Sequence, residues 1–293
     1  MHAMIEIRAL RKTYGRVAAL QEVTFAAQPG RVTGFLGLNG SGKTTTLRIL
    51  LGLSRATAGE ALINGVRYRR LRDPLRTVGA VLEQGLSHPG LTGRGHLLTQ
   101  APMSGAGRSR VEELLEYVGL ADAAGKRTGD YSLGMRQRLA VATALLGEPS
   151  VLVLDEPANG LDPAGVAWLR GLLRAHAAAG GTVLISSHLL AELAQLIDDV
   201  VIIVSGQVTL SEPLSSLAGG SRLRVRGRDP RRLWDAYASV GAGLDAEGDT
   251  LFVTGLTAED AGEIALELGV ALDELTVEAP SLEQVFMQLA GAE

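Results

Sequence analysis

Residues 37–44 read Gly-Leu-Asn-Gly-Ser-Gly-Lys-Thr, which fits the spacing GxxxxGK[ST] of a phosphate-binding loop. The loop lies between an apolar run at 32–36 and a helical pattern at 44–53. Its glycines let backbone N–H groups turn towards phosphate oxygens, and the helix N-terminus adds a favourable dipole. We expect Lys43 to reach the β- and γ-phosphates of a nucleotide and the Thr44 hydroxyl to bind Mg²⁺. The predicted nucleotide contacts are Gly37, Leu38, Asn39, Gly40, Ser41, Gly42, Lys43, Thr44 and Thr45.

Two carboxylates, Asp155 and Glu156, follow the apolar run at 151–154. An Asp-Glu pair after a buried strand is common at protein surfaces, but a phosphate-binding loop upstream favours a catalytic role. We expect Asp155 to hold Mg²⁺ opposite Thr44. We expect Glu156 to polarise an attacking water as a general base. The two motifs together predict hydrolysis of a nucleoside triphosphate.

Short apolar segments alternate with helical patterns along the middle of the chain, which is typical of an α/β fold with a parallel sheet. The Asp162-Pro163 pair predicts the start of a helix whose apolar stripe contains Leu169 and Leu173. The predicted strands are 32–36, 151–154, 183–186, 200–204 and 208–210, the last two as a hairpin, and further helices are predicted at 44–53 and 189–197.

The regions flanking this pattern differ from it. Alternation of Ile5 and Ile7, and of Val23 and Phe25, predicts an antiparallel β subdomain near the N-terminus. A mostly helical stretch predicts a helical insert at about 85–148. We place an ATPase domain at 1–218 and, after a glycine-rich boundary, a small α+β domain at 221–293. Its predicted strands are 223–225 and 251–253, and its predicted helices are 231–240, 257–268 and a last one from Ser281.

The composition of the 293 residues narrows the possible classes of protein. The sequence contains no cysteine, which excludes disulfides, zinc-thiolate sites and thiol nucleophiles. No apolar run approaches the ~20 residues of a membrane span, so we expect a soluble intracellular protein.

The net charge of −4 is unevenly distributed. Residues 1–76 hold 13 Lys and Arg against 4 Asp and Glu, whereas residues 233–293 hold 13 acids and no base. We expect this change to mark a domain boundary and the C-terminal domain to present an acidic surface for dimer contact or regulation. We interpret most arginines of the basic stretch as a solvated face, including Arg67, Arg69, Arg70, Arg72 and Arg76.

Three further motifs make the chain resemble the ATPase subunits of ATP-binding cassette (ABC) proteins over about residues 4–215. Residues 131–137 read Tyr-Ser-Leu-Gly-Met-Arg-Gln and resemble the ABC signature, usually Leu-Ser-Gly-Gly-Gln. Residues 156–163 read Glu-Pro-Ala-Asn-Gly-Leu-Asp-Pro and resemble the D-loop region. His188 resembles the switch histidine, and Tyr14 resembles the aromatic residue that stacks on adenine.

The resemblance implies a P-loop NTPase fold and a homodimer in which two chains face head to tail around two ATP molecules. Ser132 and the Gly134 backbone would bind the γ-phosphate held by the opposite chain's loop. His188 would sense the γ-phosphate and support the geometry around Glu156, and Asp162 would lie at the dimer seam. ATP would close the pair and hydrolysis would open it.

The chain departs from the family pattern at three places. Leu133 and Met135 stand in the signature where glycine and glutamine are usual. The loop after 78–82 normally carries a glutamine that contacts Mg²⁺ or water and couples to the membrane partner. Either Glu83 or Gln84 takes that position here, and both are candidate metal ligands. The Glu-Asn pair usual before Leu97 is Gly-His.

The leading hypothesis is therefore a cytoplasmic ATPase that uses ATP and Mg²⁺ to drive a separate multi-span membrane permease. It would be peripheral at the inner face of the membrane. Residues 131–139 and 280–289 resemble segments of bacterial drug and antibiotic exporters, which favours export of a drug, an antibiotic or another hydrophobic small molecule.

Two other classes compete with this hypothesis. A soluble ABC ATPase with a regulatory or ribosome-linked role would need no permease, but such chains usually carry two cassettes or a long coiled-coil insertion. A pI of about 5.8 also disfavours nucleic acid as a partner. A nucleotide-gated binding module that does not hydrolyse ATP is disfavoured by the intact Lys43, Asp155, Glu156 and His188.

Overall fold

The computed structural model describes residues 4–82, 87–188, 195–217 and 222–278. They fall into two compact units, one reaching Glu212 and one beginning at Pro213. In chain order the first unit contains β1 (Ile5–Tyr14), β2 (Val17–Ala27), β3 (Val32–Leu36), α1 (Lys43–Leu50), β4 (Ala58–Ile63), α2 (Pro74–Thr77), β5 (Val78–Val81), α3 (Gly93–Ser104), α4 (Arg108–Tyr117), α5 (Leu133–Ala144), β6 (Val151–Asp155), α6 (Pro163–Ala178), β7 (Thr182–Ser187), β8 (Asp199–Val204) and β9 (Gln207–Pro213).

A mixed sheet forms the centre of the first unit. Its described strands follow the order β5-β6-β7-β3-β8-β9, and neighbours from β5 to β8 run parallel. Every residue of β3, β6 and β7 is buried, because other layers cover both faces of the sheet. Continuous burial explains why these strands are apolar runs rather than alternating patterns, and it confirms the predicted strands at 32–36, 151–154 and 183–186.

A second, antiparallel sheet has the order β2-β1-β4. Ile5 and Ile7 of β1 and Val23 and Phe25 of β2 are buried and join the core below the central sheet. The phenyl rings of Phe25 and Phe35 lie 4.9 Å apart and connect the two sheets. The antiparallel β subdomain is therefore confirmed, although its third strand, β4, was not predicted.

Helices α3, α4 and α5 occupy the described part of the predicted insert. The Thr92 side chain caps α3 by accepting a hydrogen bond from the Gly95 N–H, and Ser132 caps α5 through the Met135 N–H. Arg94 of α3 forms a bidentate ion pair with Glu112 of α4, with N–O distances of 2.8 and 3.0 Å. This pair joins the start of α3 to α4.

The second unit comprises α7 (Leu214–Leu217), β10 (Arg222–Gly227), α8 (Pro230–Ser239), β11 (Gly243–Glu247), β12 (Thr250–Thr254), α9 (Ala258–Glu267) and β13 (Leu272–Glu278). From β10 onward it shows the βαββαβ order of a ferredoxin-like motif, with strand order β11-β12-β10-β13. Val225, Leu233, Tyr237 and Val253 belong to its core, which confirms an α+β fold. The helix predicted from Ser281 lies outside the described residues.

The expected link between charge and the domain boundary is wrong. Six arginines precede the acidic run but lie within the second unit: Arg222, Arg224, Arg226, Arg228, Arg231 and Arg232. Two of them pair across β10 and β13, with an Arg222 Nε to Glu278 Oε2 distance of 2.8 Å and an Arg224 Nε to Glu274 Oε1 distance of 3.6 Å. The second unit therefore neutralises part of its own acidic charge.

Candidate functional site

Three neighbouring strands of the central sheet end at the level of the predicted site. In the register of the parallel strands, Leu36 of β3 lies beside Ser187 of β7, and Asp155 of β6 lies beside Ser186 of β7. The carboxyl ends of parallel strands lie along the same edge of a sheet, where α/β proteins bind ligands. The phosphate-binding loop after β3, the carboxylates after β6 and His188 after β7 therefore meet there.

Lys43 begins α1 and points back into the loop that precedes it. Its Nζ donates to the Gly37 carbonyl at 2.7 Å and to the Leu38 carbonyl at 3.3 Å. The side chain is only 6% exposed, so its ammonium is held inside the loop. Gly42 adopts φ 110°, and a Cβ there would lie 2.6 Å from Leu20 Cδ2. Only glycine fits this turn, since it combines a left-handed conformation with close approach to β2.

Asp155 is held by two hydroxyl groups from different elements. Thr44 Oγ1 donates to Asp155 Oδ2 at 2.7 Å, and Ser186 Oγ donates to Asp155 Oδ1. The carboxylate is 6% exposed. Two hydrogen bonds fix its orientation and offset part of the cost of burying its charge. Sequence analysis missed Ser186, although a serine at the end of a buried strand is a polar residue in an otherwise apolar run.

Glu156 lies at the centre of the cluster. Its backbone adopts φ 50°, in the left-handed region that side chains with a Cβ seldom occupy. The Glu156 N–H donates to both the carbonyl and the hydroxyl of Ser186, at 3.2 and 3.1 Å. Glu156 Oε2 lies 2.8 Å from His188 Nδ1, and Oε1 lies 3.5 Å from Lys43 Nζ. The Glu156 carboxylate therefore lies between His188 and Lys43.

The donor set around Asp155 fits Mg²⁺. Thr44 supplies a hydroxyl oxygen and Asp155 a carboxylate oxygen, and both are hard ligands of the kind that Mg²⁺ prefers. The described residues hold no group of three His, Cys, Asp or Glu side chains that would bind a metal alone. Mg²⁺ at nucleotide sites usually takes one or two protein oxygens and completes its shell with phosphates and water.

The hairpin of β1 and β2 lies against the phosphate-binding loop through Leu20, which faces Gly42. Tyr14 stands near the tip of this hairpin, where Lys12 pairs with Leu20 in the strand register. The Tyr14 ring is about half exposed, and Lys12 Nζ lies 4.5 Å from its centre. The exposed ring therefore belongs to a hairpin that contacts the phosphate-binding loop through Leu20.

Ser132 and Gly134 lie at the start of α5 in the helical insert. Ser132 is exposed and caps the helix. Leu133, one of the two departures from the family signature, packs onto Gly160, so that a methyl group at Gly160 would overlap Leu133 Cδ2. The signature segment and the D-loop segment of one chain are therefore in contact.

Asp162 has a structural function that the structure makes explicit. Its Oδ1 accepts a hydrogen bond of 2.7 Å from the Gly165 N–H and caps α6.

Glu83 and Gln84, the two candidates for the loop after β5, lie outside the described residues. Among the described residues, no helix is long and apolar enough to cross a membrane.

Comparison with protein families gives three matches. Residues 20–159 match the family described as ABC transporter. Residues 125–194 also match an AAA domain described as a putative AbiEii toxin of a type IV TA system. Residues 221–283 match a domain of unknown function, in the region of the second unit.

Similar curated proteins include the bacitracin transport ATP-binding protein BcrA of Bacillus licheniformis, 40% identical over 76% of this chain and 74% of the relative. The lantibiotic transport ATP-binding protein SrtF of Streptococcus pyogenes is 36% identical over 71% of this chain and 90% of its own length. The Nod factor export ATP-binding protein I of Paraburkholderia xenovorans strain LB400 is 34% identical over 99% of this chain and 98% of its own.

Solved structures give the same result. The ATP-binding subunit of an ABC transporter aligns with a TM-score of 0.67 and 29% identity over 73% of this chain and 91% of its own. A dimeric ATP-binding cassette in a post-hydrolysis state, bound to ADP and phosphate, aligns with a TM-score of 0.65 and 25% identity. The alignment covers 72% of this chain and 98% of the cassette. The predicted P-loop fold is confirmed, and the chain belongs to the ATP-binding ATPase subunits of ABC transporters.

Proposed function

We propose that this chain hydrolyses ATP to drive a separate membrane permease that exports a drug, an antibiotic or another hydrophobic small molecule. One observation carries the catalytic part: Glu156 lies within 3.5 Å of both Lys43 and His188, beside the Thr44–Asp155 pair. The export part is supported by the names of three relatives, which transport bacitracin, a lantibiotic or Nod factor.

We assign the chemical steps to the residues of this cluster. Lys43, Gly37 and the other loop residues through Thr45 bind the phosphates, and Glu156 accepts a proton from the attacking water. His188 holds the Glu156 carboxylate through Nδ1 and reports on the γ-phosphate. Glu156 Oε1 lies 3.5 Å from Lys43 Nζ, so a bound γ-phosphate would compete with Glu156 for this ammonium.

Mg²⁺ belongs to the proposed site. Thr44 and Asp155 would hold it, together with Glu83 or Gln84. When bound, Mg²⁺ neutralises phosphate charge and orients the triphosphate. Ser186 donates to Asp155 Oδ1, so the metal would bind Asp155 Oδ2, which accepts the Thr44 hydroxyl in this structure.

We propose that two copies of the chain close around ATP head to tail. The α5 N-terminus, with Ser132 as its cap, offers backbone N–H groups to the γ-phosphate held by the opposite chain. Asp162 would lie at the seam while capping α6, and Tyr14 would stack on adenine. The dimeric cassette bound to ADP and phosphate supports this arrangement.

We propose that the permease contacts a cavity of about 220 Å³ beside the loop that follows β5. Leu82 and Ser87 line it on either side of that loop, and His96 and Leu139 line it from α3 and α5. This location matches the family pattern in which the loop couples to the membrane partner. A contact at this cavity would hold the chain at the inner face of the membrane through its partner.

We assign residues 1–218 to the ATPase domain, with its helical insert at about 85–148, and 221–293 to an accessory α+β domain. The two compact units and the separate family match at 221–283 support this division. The accessory domain is proposed to act in dimer contact or regulation through exposed acids such as Asp245, Glu247 and Asp249.

Affinity purification of the tagged chain from membranes of its native host tests the proposal. We expect a multi-span membrane protein to be recovered with it, in an amount that falls for Ala140→Asp, at a partly exposed position that lines the proposed contact cavity. Trp168→Asp, on α6 outside that cavity, is the control and should recover as much partner as the unaltered chain. Recovery of ribosomes with no membrane protein would contradict the permease proposal and favour the soluble alternative.

A further inference from the structure

A cavity of about 490 Å³ lies between the end of α1, the strand β4 and the turn at Tyr68–Arg70. This volume is within the range of small-molecule sites in proteins. The cavity belongs to the first unit, and its lining contains no residue of the phosphate-binding loop. It therefore offers a separate place for a ligand.

Four arginines and one carboxylate line this cavity: Arg55, Arg67, Arg69, Arg70 and Glu60. Glu60 is already shared, because its oxygens lie 3.6 Å from Arg67 and 3.6 Å from Arg8. A single carboxylate between two arginines leaves the lining with an excess of positive charge. The interpretation of these arginines as a purely solvated face does not explain why four of them converge on one concavity.

The arginines of the cavity differ in how far they are engaged. Arg69 donates two hydrogen bonds to the Gly52 carbonyl, at 3.1 and 2.7 Å, and this contact satisfies the end of α1. Among the described residues, the guanidinium groups of Arg55 and Arg70 form no ion pair or hydrogen bond. Two fully available guanidinium groups beside an anchored one form a donor array suited to a planar or tetrahedral oxyanion.

Part of the cavity wall is apolar. Ile49 and Ala61 are buried core residues, and Tyr68 packs against the same core. Burial raises the pKa of Tyr68, so its phenol remains neutral and able to donate a hydrogen bond. An apolar wall with an aromatic ring next to free guanidinium groups suits a ligand that joins a phosphate to an apolar or aromatic body.

We propose that this cavity, which we name the arginine cavity after Arg55, Arg67, Arg69 and Arg70, binds a small soluble organic phosphate. Arg55 and Arg70 bind the phosphate group, and Tyr68 and Ile49 contact the organic body. The inference is independent of ATP hydrolysis, because the ligand occupies a site apart from the phosphate-binding loop.

Calorimetric titration with phenyl phosphate and with inorganic phosphate tests the proposal on the full chain. The nucleotide site is first saturated with Mg²⁺ and a non-hydrolysable ATP analogue, so that the probes do not bind there. We expect phenyl phosphate to bind about tenfold or more tightly than inorganic phosphate, because only it buries a ring. We expect Arg55→Ala with Arg70→Ala to weaken phenyl phosphate binding about tenfold or more.

The matched control is Arg72→Ala with Arg76→Ala, which removes the same charge from exposed positions outside the cavity. The control pair should bind phenyl phosphate as the unaltered chain does. An equal loss in both pairs would show unspecific attraction and overturn the proposal. It is also overturned if phenyl phosphate does not bind, or if only vesicles containing phosphatidylglycerol bind, since the arginines would then serve a lipid surface.

Discussion

Glu156 occupies a left-handed backbone conformation at the residue that is proposed to activate water. Such a conformation costs about 1–2 kcal/mol for a residue with a side chain. Two hydrogen bonds from the Glu156 N–H to Ser186 and one from the His188 N–H to Glu156 Oε2 hold it in place. The carboxylate of this strained residue faces Lys43. We therefore attribute the strained conformation to catalysis rather than to folding.

The Thr44 hydroxyl supplies the first residue-level prediction. Thr44→Val keeps the shape of the side chain but removes the group that contacts Asp155 at 2.7 Å. We expect kcat/KM for ATP to fall about 10- to 100-fold, the loss typical of a hydrogen bond to a charged group. ATPase assays over a Mg²⁺ titration should show a higher Mg²⁺ requirement.

Thr46→Val is the control for this substitution. Thr46 Oγ1 bonds to the Gly42 carbonyl at 3.0 Å within the same helix, away from Asp155. The Mg²⁺ requirement of the Thr46→Val variant should match that of the unaltered chain. Equal Mg²⁺ curves for Thr44→Val and the unaltered chain would refute the metal assignment.

His96 supplies a prediction about stability and pH. Burial lowers the pKa of His96, and its Nε2 lies 3.1 Å from Thr143 Oγ1. The unfolded chain therefore binds a proton at His96 near pH 6.5 while the folded chain does not, so stability falls as the pH drops below about 6.5. His96→Asn introduces the residue that the family pattern has here and cannot titrate.

Denaturant unfolding at about pH 7.5 and about pH 5.5 measures the effect of His96. The unaltered chain should lose more free energy of unfolding between these two values than His96→Asn, by roughly 1 kcal/mol or less. The same pH dependence in both chains would show that His96 is protonated equally in the folded and unfolded states.

At the scale of elements, the contact between Leu133 and Gly160 joins the start of α5 to the segment between β6 and α6. Gly160 adopts φ 76°. Gly160→Ala should cost about 2 kcal/mol or more, because alanine disfavours this conformation and its methyl group overlaps Leu133. It should also lower ATP turnover by displacing the segment that connects Glu156 to Asp162.

A double-mutant cycle separates strain from overlap at Gly160. Leu133→Ala combined with Gly160→Ala relieves the overlap but not the backbone strain, so it should regain part of the lost stability and turnover. Strictly additive losses would mean that Leu133 and Gly160 do not interact.

Elements with continuous apolar runs or motif residues were predictable from sequence. The fully buried β3, β6 and β7 and the loop before α1 belong to this group, because two-sided burial and phosphate binding each restrict residue types. Strands β4, β11 and β13 were missed. β11 reads Gly-Leu-Asp-Ala-Glu and β13 reads Leu-Asp-Glu-Leu-Thr-Val-Glu, and acidic strands at a sheet edge carry little strand signal.

Contacts of the site were less predictable than its residues. Ser186 reaches Asp155 only because β6 and β7 are neighbours in a fixed register, which the sequence does not specify. The packing of Leu133 on Gly160 joins residues of the helical insert and the α/β core. Both contacts depend on tertiary structure, whereas the motifs depend on local spacing.

At the scale of the whole molecule, the charge distribution reflects two units rather than one gradient. The second unit carries the arginines of β10 as well as the acidic run, and pairs some of them across β13. Its exposed acids remain on α9 and on β11, and include Glu259, Glu263 and Glu267. A surface of this kind is suited to contact a basic partner surface.

Removal of residues 221–293 tests the role of the second unit. If this unit contributes to dimer contact or regulation, the truncated chain should form ATP-dependent dimers severalfold less readily, or hydrolyse ATP at a changed rate. Sedimentation and ATPase assays measure both, and cooperative unfolding of the truncated chain confirms that the ATPase unit is intact. Unaltered dimerisation and turnover would count against the proposal.

The most direct measurement of the central claim is ATP turnover by Glu156→Gln. We expect turnover to fall about 100-fold or more while ATP still binds, because the phosphate contacts of Lys43 and Thr44 remain. Glu148→Gln is the matched control, since Glu148 is exposed, has φ 52° and lies away from the cluster, and its turnover should be unchanged. Turnover by Glu156→Gln equal to that of Glu148→Gln would contradict the assignment of Glu156 as the general base.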